Sequence, residues 1–270
     1  MVDVWAGENR ANRALENGKI HLSSKLTGTL LRPFSGAFNH LLPQRCPLCR
    51  QFCLETGLCA ECWKGLVFIS SPACNCCGRP LPHATPDNLC GACLETPPPV
   101  AKIRACFVYN DVSRQLILNF KHGDGLHLTP LLARVLATDF RQILGPDHLV
   151  IPAPLHPRRY LKRRYNQSAE LARALCTKVQ KAAGHKIFAA EVLTRQKPSP
   201  SQARLSKSMR RLNVAGAFHV PLDQRDRLRN RPILLIDDVM TTGATLYEAS
   251  RTLIKAGSGP TSCLVVARVL

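Results

Sequence analysis

The stretch ILLIDDVMTTGATL, residues 233–246, decides the predicted fold. A run of four apolar residues is followed by two adjacent acids, Asp237 and Asp238, and then by a short loop of threonines and glycine. The apolar run is typical of a strand that is buried on both faces, and the residues after Gly243 have the pattern of a helix. In a parallel α/β sheet, ligands bind at the edge where such strands end. The stretch therefore predicts a parallel sheet with a binding site at residues 237–245.

The loop that follows the two acids has the chemistry of a phosphate site. Gly243 lets the backbone approach a ligand closely, and the free amides at a helix N-terminus favour a phosphate dianion. Asp237 and Asp238 would repel that phosphate unless they bind another group, and vicinal ribose hydroxyls are suitable partners, directly or through Mg²⁺. We therefore expect a phosphorylated sugar as the ligand. An ordinary strand–turn–helix with acidic residues at the helix cap is the alternative.

Strands and helices alternate along the chain on both sides of this stretch. The predicted strands are 102–109, 149–154, 187–193, 231–237 and 261–269, and the predicted helices are 112–122, 128–144, 167–182 and 245–257. Such alternation requires parallel pairing with crossover connections. The pattern predicts an α/β fold with a Rossmann-type parallel sheet.

Four CxxC pairs lie within residues 46–93 of a chain that has 13 cysteines. Each pair directs two sulfurs to one point, so that two pairs supply four thiolates to a tetrahedral zinc ion. Pairing of neighbours gives two structural zinc sites, whereas a crossed pairing of the first pair with the third stays open. The neighbouring sets are Cys46, Cys49, Cys59 and Cys62, and Cys74, Cys77, Cys90 and Cys93. Because so short a segment has no large apolar core, we expect zinc to hold it folded.

These patterns divide the chain into four segments. They are a partly helical N-terminal extension (1–45), a double zinc ribbon (46–94), a proline-rich hinge with the sequence ETPPPV (95–100) and the α/β domain (101–270). No apolar run reaches the roughly 20 residues of a membrane-spanning helix, and the acidic start lacks the pattern of a signal peptide. We expect a cytoplasmic protein without membrane insertion.

The chain is strongly basic, with 37 Lys and Arg against 18 Asp and Glu and a formal net charge of +19. Much of the excess lies in three clusters, at 158–164, 195–211 and 225–231. Such clusters attract phosphates on nucleotides or nucleic acids, with an affinity that falls with salt. A solvated face that keeps the protein soluble is the alternative.

The opening stretch resembles the loop that binds phosphoribosyl pyrophosphate (PRPP) in type I phosphoribosyltransferases, where apolar residues precede two acids and the pattern T-T/S-G-x-T. The resemblance implies that the acids hold the ribose hydroxyls and that the loop holds the 5-phosphate. The implied PRPP-binding residues are Asp237, Asp238, Val239, Thr241, Thr242, Gly243, Ala244 and Thr245.

A second segment, VIPAPLHPRRYLKRRYNQSAELA (150–172), is similar to the pyrophosphate loop of the ComF family of competence-associated proteins, where P-x-P-L-H-x-x-R precedes R-x-x-N-Q. The zinc cysteines, LNFKHGDG (118–125) and the segment 194–213 also follow the order of that family, in particular of its members with a double zinc ribbon. The resemblance implies that Lys121, Arg159 and Arg163 contact the pyrophosphate and form the catalytic set together with Asp237 and Asp238. It also implies that 194–213 closes over the ligand and contributes Gln202, Arg210, Arg211 and Asn213.

The implied function is that of a ComF-like phosphoribosyltransferase that binds PRPP with Mg²⁺ and is associated with DNA uptake or with nucleotide and DNA metabolism. In such an enzyme a nucleophile displaces pyrophosphate at the anomeric carbon. The alternative is a non-catalytic module that senses PRPP, or that binds single-stranded DNA or competence and DNA-processing proteins through the zinc ribbon and the basic loops. Few aromatic residues are available for base stacking near the cysteines, namely Phe52, Trp63 and Phe68. The sequence does not identify the acceptor.

Overall fold

The fold is described from a computed structural model of the chain. The structure describes residues 44–53, 57–121, 125–183, 187–189, 192–197 and 214–270. Nearly all of the predicted N-terminal extension lies outside the described residues, as do Gln202, Arg210, Arg211 and Asn213 of the predicted closing loop. Residues Pro43–Leu270 form one compact unit that contains both the cysteine-rich module and the sheet. The predicted boundary at 95–100 within this unit stays a prediction.

The cysteine-rich module contains little regular structure. It consists of two short antiparallel strands, β1 (Gln44–Arg45) and β2 (Phe52–Cys53), and two single-turn helices, α1 (Ala60–Lys64) and α2 (Gly91–Glu95). Hydrogen bonds tie the module to the rest of the chain: the Asn119 side chain donates to the Pro47 carbonyl at 2.8 Å, and the Ile103 amide donates to the Cys76 carbonyl at 2.8 Å. The two halves of the module are thus held against the sheet domain by backbone groups as well as by side chains.

The remaining elements alternate as predicted. They are β3 (Lys102–Val108), α3 (Asp111–Lys121), α4 (Thr129–Ile143), β4 (Leu149–Pro152), α5 (Pro157–Arg163), α6 (Gln167–Ala183), β5 (Thr194–Arg195), β6 (Phe218–His219), α7 (Arg225–Leu228), β7 (Ile233–Met240), α8 (Ala244–Lys255) and β8 (Thr261–Arg268), with 3-10 helices at Gly125–Leu128 and Leu222–Gln224. The main sheet has the order β3-β8-β7-β4, and all three strand pairs are parallel. The predicted α/β fold with a parallel sheet and a small N-terminal cysteine-rich module is confirmed.

The burial of the central strand β7 on both faces explains why its sequence predicts a parallel sheet. Its first four residues are fully buried and alternate between two apolar cores, one on each face of the sheet. Leu234 and Ile236 pack with Phe120 and the helices α4 and α6, whereas Leu235 packs with Leu253 of α8 on the other face. A strand that is covered by helices on both sides is apolar at every position, and this is the pattern that the sequence shows.

The structure corrects three predictions of secondary structure. Strand β7 continues to Met240 rather than ending at 237, because β8 pairs with it as far as Arg268, so both acids lie within the strand. The predicted strand 187–193 is wrong as a full strand: among the residues described there, Phe188 forms a single parallel bridge with Val150. The predicted basic loop after β4 contains the helix α5, which begins with a proline at its first position and is capped by His156.

Within the described residues, every helix is too short or too polar to cross a lipid bilayer.

Candidate functional site

Three elements of the sheet domain, α3, α6 and β7, bring charged and polar side chains together at the carboxyl end of β7. Lys121, the last residue of α3, places its Nζ 2.8 Å from Oδ1 of Asp238. Ser168, in the first turn of α6, donates a hydrogen bond of 3.0 Å to Oδ1 of Asp237. The Asp238 carboxylate is buried, and the Asp237 carboxylate is partly buried. The acid pair predicted from the sequence is therefore a preformed, partly neutralised site.

The surroundings of Asp237 disfavour its ionised form. Burial, and then the charge of Asp238, raise the pKa of Asp237 to about 6, although the Asp238 amide, Lys121 and Ser168 act in the opposite direction. The two carboxylates are adjacent in a poorly solvated place, and the charge of Asp238 disfavours the ionised form of Asp237. Such a site favours a ligand that brings cations or hydroxyl donors to the carboxylates.

We expect Asp237→Asn to stabilise the protein at pH 8 by roughly 2 kcal/mol. The folded state holds the Asp237 proton more tightly than the unfolded state, so the contribution of this group to stability is full below about pH 4 and is lost as the pH rises through about 6. Asparagine keeps an oxygen that accepts from Ser168, and it carries no charge at pH 8. Urea unfolding at pH 8 and at pH 5, with zinc content checked at both, measures the effect. A stability gain that is equal at the two pH values would contradict this explanation.

Two arginines lie beside the acids. Burial, and then the neighbouring charge of Arg163, lower the pKa of Arg159, whereas Asp238 raises it. Burial and then Arg159 lower the pKa of Arg195, whereas Asp237 raises it. These mutual effects place cations from α5 and β5 at the same site as the two acids.

Arg195 is a candidate functional residue that the sequence analysis did not single out. Its side chain is 8% exposed, and its guanidinium lies 5.3 Å from the ring centroid of Phe218 on the paired strand β6. The only sequence signal was its position at the start of a basic cluster. Its approach to Asp237 depends on tertiary packing.

Arg163 is linked to Lys121 through Gln167 of α6. Its Nη1 donates to Oε1 of Gln167 at 3.3 Å, and the Gln167 side chain donates to the Lys121 carbonyl at 3.4 Å. Arg163 thus lies next to the end of α3, and the structure connects it to Lys121 through one buried glutamine.

The loop between β7 and α8 presents backbone amides at the end of the sheet. Gly243 has a φ of 78°, a left-handed conformation that favours glycine, and its position at the helix cap supplies no side-chain hydrogen bond. The nearest cap is a weak one, from the Ala244 amide to Oγ1 of Thr242 at 3.4 Å. Thr241, Thr242 and Thr245 are partly buried around this turn. A helix that begins without a strong cap has amides available for an anion.

The eight zinc-ligand candidates form two clusters, and their pairing is sequential. In each cluster the four sulfurs lie within 4.8 Å of one another, and the crossed pairing is excluded. The clusters are Cys46, Cys49, Cys59 and Cys62, and Cys74, Cys77, Cys90 and Cys93. Four thiolates at such distances fit a tetrahedral zinc ion that has no open position.

Backbone amides prepare these sulfurs for metal. The amides of Cys77 and Cys90 donate to Sγ of Cys74 at 3.5 Å and 3.4 Å. Burial raises the pKa of Cys74, but the backbone hydrogen bonds outweigh it and lower the pKa to about 6. The pKa of Cys46 is lowered to about 6 in the same way, by the amides of Cys49 and Cys59. Each cluster therefore contains a sulfur that favours the thiolate form that zinc requires.

The parallel α/β sheet ends in an acid pair and an amide loop, and it is joined to a module with two four-cysteine zinc sites. These features define the class of protein, namely an α/β protein with a double zinc module. Comparisons with known proteins agree with this class. A family model described as double zinc ribbon domain matches residues 37–94. The chain is 29% identical over 237 residues to the DNA utilization protein YhgH of Escherichia coli O157:H7, an alignment that covers 85% of this chain and 99% of the relative.

A further relative identifies the family. The chain is 31% identical over 220 residues to competence protein F of Haemophilus influenzae, covering 79% of this chain and 92% of that protein. The chain belongs to the ComF family. Among solved structures, the hypoxanthine-guanine phosphoribosyltransferase of L. donovani aligns over 57% of this chain and 71% of its own, with 21% identity and a TM-score of 0.29. A likeness this distant carries no information on the ligand.

Proposed function

We propose that this protein binds PRPP together with Mg²⁺ and transfers the phosphoribosyl group to an acceptor. The observation that carries the proposal is the contact of Lys121 with Asp238 at 2.8 Å, next to Asp237 and directly before the amide loop. Phosphate, ribose and pyrophosphate each require a different donor set, and the amide loop, the acid pair and Lys121 with Arg159 are suitable donor sets for them.

Each part of PRPP has its own residues. The amides and hydroxyls of 241–245 hold the 5-phosphate, as an uncapped helix N-terminus favours. Asp237 and Asp238 accept hydrogen bonds from the ribose hydroxyls. Lys121 and Arg159 neutralise the pyrophosphate, with Arg163, Arg195 and the 194–213 segment completing that half of the site. The ligand separates Lys121 from Asp238, so each ion finds a new partner when PRPP binds.

Mg²⁺ fits this donor set because carboxylate oxygens are its preferred protein ligands and two adjacent carboxylates lie in β7 at the end of the sheet. Asp237 and Asp238 would hold it together with the ligand. When bound, the ion neutralises charge on the pyrophosphate.

The transfer itself requires little covalent chemistry from the protein. The bond between the anomeric carbon and the pyrophosphate oxygen breaks, and its electron pair leaves with the pyrophosphate. The lone pair of the acceptor forms the new bond to the same carbon, and the acceptor loses its proton to solvent. Lys121 and Arg159 stabilise the charge on the leaving group, and the two acids fix the ribose, so that catalysis consists of positioning and electrostatics.

The double variant Asp237→Asn, Asp238→Asn is expected to weaken PRPP binding at least tenfold, because a neutral amide replaces each charged acceptor of a ribose hydroxyl. Calorimetric titration of PRPP with Mg²⁺ measures this. The matched control is Asp223→Asn, Asp226→Asn, which removes the same two charges from exposed positions around the start of α7.

The control separates a specific loss from a change in net charge. Wild type and control should bind alike, with the zinc content of all three proteins verified. Absence of saturable binding to zinc-loaded wild type would show that the acid pair and the loop persist only as a scaffold.

A second function is favoured by the exposed aromatic residues of the zinc module. Phe52 is 61% exposed with the Arg45 guanidinium 4.4 Å from its ring centroid, and Trp63 and Phe68 are also exposed. Aromatic and arginine surfaces of this kind stack on unpaired bases, and the chain is strongly basic. In this function the protein is a module for single-stranded DNA or for DNA-processing proteins. Oligonucleotide binding with a steep salt dependence and no response to PRPP distinguishes it from the transferase.

A further inference from the structure

The segment that contains the first zinc site lies against the start of α3. The Asn110 side chain, one residue before the helix, donates to the Gly65 carbonyl at 2.8 Å. The backbone at Gly65 is so close to the helix that an added β-carbon there would lie 2.8 Å from Cγ2 of Val112. Leu66, the next residue, is buried in the same apolar core as Leu116 of α3. The segment is therefore packed closely against the first turns of the helix.

The knuckle formed by residues 46–49, which begins and ends with a ligand of the first zinc site, contacts the rest of α3. The Gln115 side chain donates to the Leu48 carbonyl at 3.2 Å. The Asn119 side chain, in the last turn, donates to the Pro47 carbonyl at 2.8 Å. The backbone of a CxxC knuckle is fixed when both of its sulfurs bind one metal ion. The two carbonyls that hold α3 are therefore fixed when the first site is filled.

This helix ends in the lysine of the candidate site. Asn119 lies two residues before Lys121, whose Nζ is 2.8 Å from Oδ1 of Asp238. From the direction of the sheet domain, the Tyr165 hydroxyl donates to the Phe120 carbonyl at 2.6 Å. The end of α3 is thus held from two directions, by the knuckle and by the segment before α6. The position of Lys121 therefore depends on the first zinc site as well as on the sheet domain.

The second half of the zinc module is attached to other elements. The Ile103 amide of β3 donates to the Cys76 carbonyl at 2.8 Å, and Arg268 of β8 donates to the Cys77 carbonyl. The second site is also better shielded, since three of its four cysteines are buried, against one of the four in the first site. The shell around a metal site controls the access of solvent. We therefore expect the first site to exchange its zinc more readily than the second.

We propose that the first zinc site positions Lys121, and that Asn119 is the positioning residue that connects the knuckle to the end of α3. When the first site is empty, the knuckle is released, the end of α3 shifts, and Lys121 separates from Asp238. The consequence for pyrophosphate rests on the proposed function, in which Lys121 neutralises the leaving group. The acid pair and the amide loop belong to β7 and the start of α8, so they keep their positions. Zinc in the first site therefore controls one half of the candidate site.

Two variants weaken this connection at different points. Asn119→Leu removes the donor to the knuckle and keeps all eight zinc ligands, whereas Cys49→Ser removes a ligand of the first site. Asn75→Leu is the matched control, because it removes a similar hydrogen bond of 2.9 Å, from the asparagine to the Asp87 carbonyl, within the second half of the module. Metal analysis should give one zinc ion for Cys49→Ser and two for the other proteins.

The position of Lys121 can be measured without any ligand. Mass spectrometry gives the rate at which acetic anhydride labels Lys121 relative to Lys255, an exposed lysine at the end of α8. In the wild type the Lys121 side chain is 19% exposed and its amine is held in the ion pair, so labelling is slow. We expect the relative rate to rise about fivefold in Asn119→Leu and about tenfold in Cys49→Ser, and to stay within about twofold in Asn75→Leu. An unchanged rate in Asn119→Leu, or in Cys49→Ser that has lost one zinc ion, overturns the proposal.

Calorimetry with Mg²⁺ measures the consequence for the site. Pyrophosphate binding should weaken about fivefold in Asn119→Leu and about tenfold in Cys49→Ser, while ribose 5-phosphate binds within about twofold of wild type. An equal loss for both ligands would show a general loosening of the domain and would contradict a positioning role. If the wild type binds neither ligand while the labelling of Lys121 still responds as expected, the proposed function is wrong and the positioning of Lys121 by the first zinc site stands.

Discussion

Cys74→Ser is expected to lower the zinc content from two ions per chain to one and to unfold the second half of the zinc module. Cys74 is fully buried and accepts hydrogen bonds from two backbone amides, which stabilise its thiolate for metal within the second zinc site. Structural zinc contributes on the order of 10 kcal/mol to the folding of such small modules. A serine hydroxyl does not replace a thiolate, and the apolar residues nearby are too few to hold the module without the ion.

The control for this variant lies two residues away. Cys76 is a partly buried cysteine outside the four-sulfur cluster, so Cys76→Ser makes the same chemical change without removing a ligand. Metal analysis of the purified proteins gives the zinc content, and thermal unfolding gives the stability. We expect two zinc ions and a transition close to that of wild type for Cys76→Ser. Two zinc ions in Cys74→Ser, or one in Cys76→Ser, would show that the ligand set is assigned incorrectly.

The sequence predicts those features whose signal is local. A strand with covered faces is apolar at every position, as in 233–236, and a CxxC pair carries its geometry within four residues. The acid pair was recognisable because two carboxylates beside an amide loop have few other uses. These local signals predict the parallel sheet and the two four-cysteine sets, both of which are confirmed, and the candidate site at the end of β7.

The remaining features depend on contacts between distant segments. Arg195 approaches Asp237 through the packing of β5 and β6, and Arg268 at the end of β8 donates to the carbonyl of Cys77 in the second zinc site. The sequence analysis did not predict helix α5, because its composition is strongly basic. The proline at 157 was a usable signal, since proline is favoured at the first position of a helix. The sequential zinc pairing likewise required the distances between sulfurs.

Lys121→Met is expected to weaken the binding of PRPP and of pyrophosphate by about a hundredfold, because a hydrogen bond between charged groups contributes about 1.5–3 kcal/mol. Methionine keeps the apolar stem that follows the buried Phe120 and removes only the cation. Ribose 5-phosphate should bind within a few-fold of wild type, since Asp238 is then free of the ion pair and still accepts from the ribose. Calorimetry with the three ligands and Mg²⁺ therefore separates the two halves of the site.

Lys64→Met is the matched control for this variant, because Lys64 also ends a helix and also pairs with a carboxylate, that of Glu61 at 3.1 Å, but on the exposed surface. Exposed ion pairs contribute little, so all three ligands should bind to it as they bind to wild type. If Lys121→Met weakened ribose 5-phosphate as much as pyrophosphate, Lys121 would serve only to neutralise Asp238. A selective loss for pyrophosphate means that the ion pair at 2.8 Å is the resting arrangement of a lysine whose partner in the complex is the leaving group.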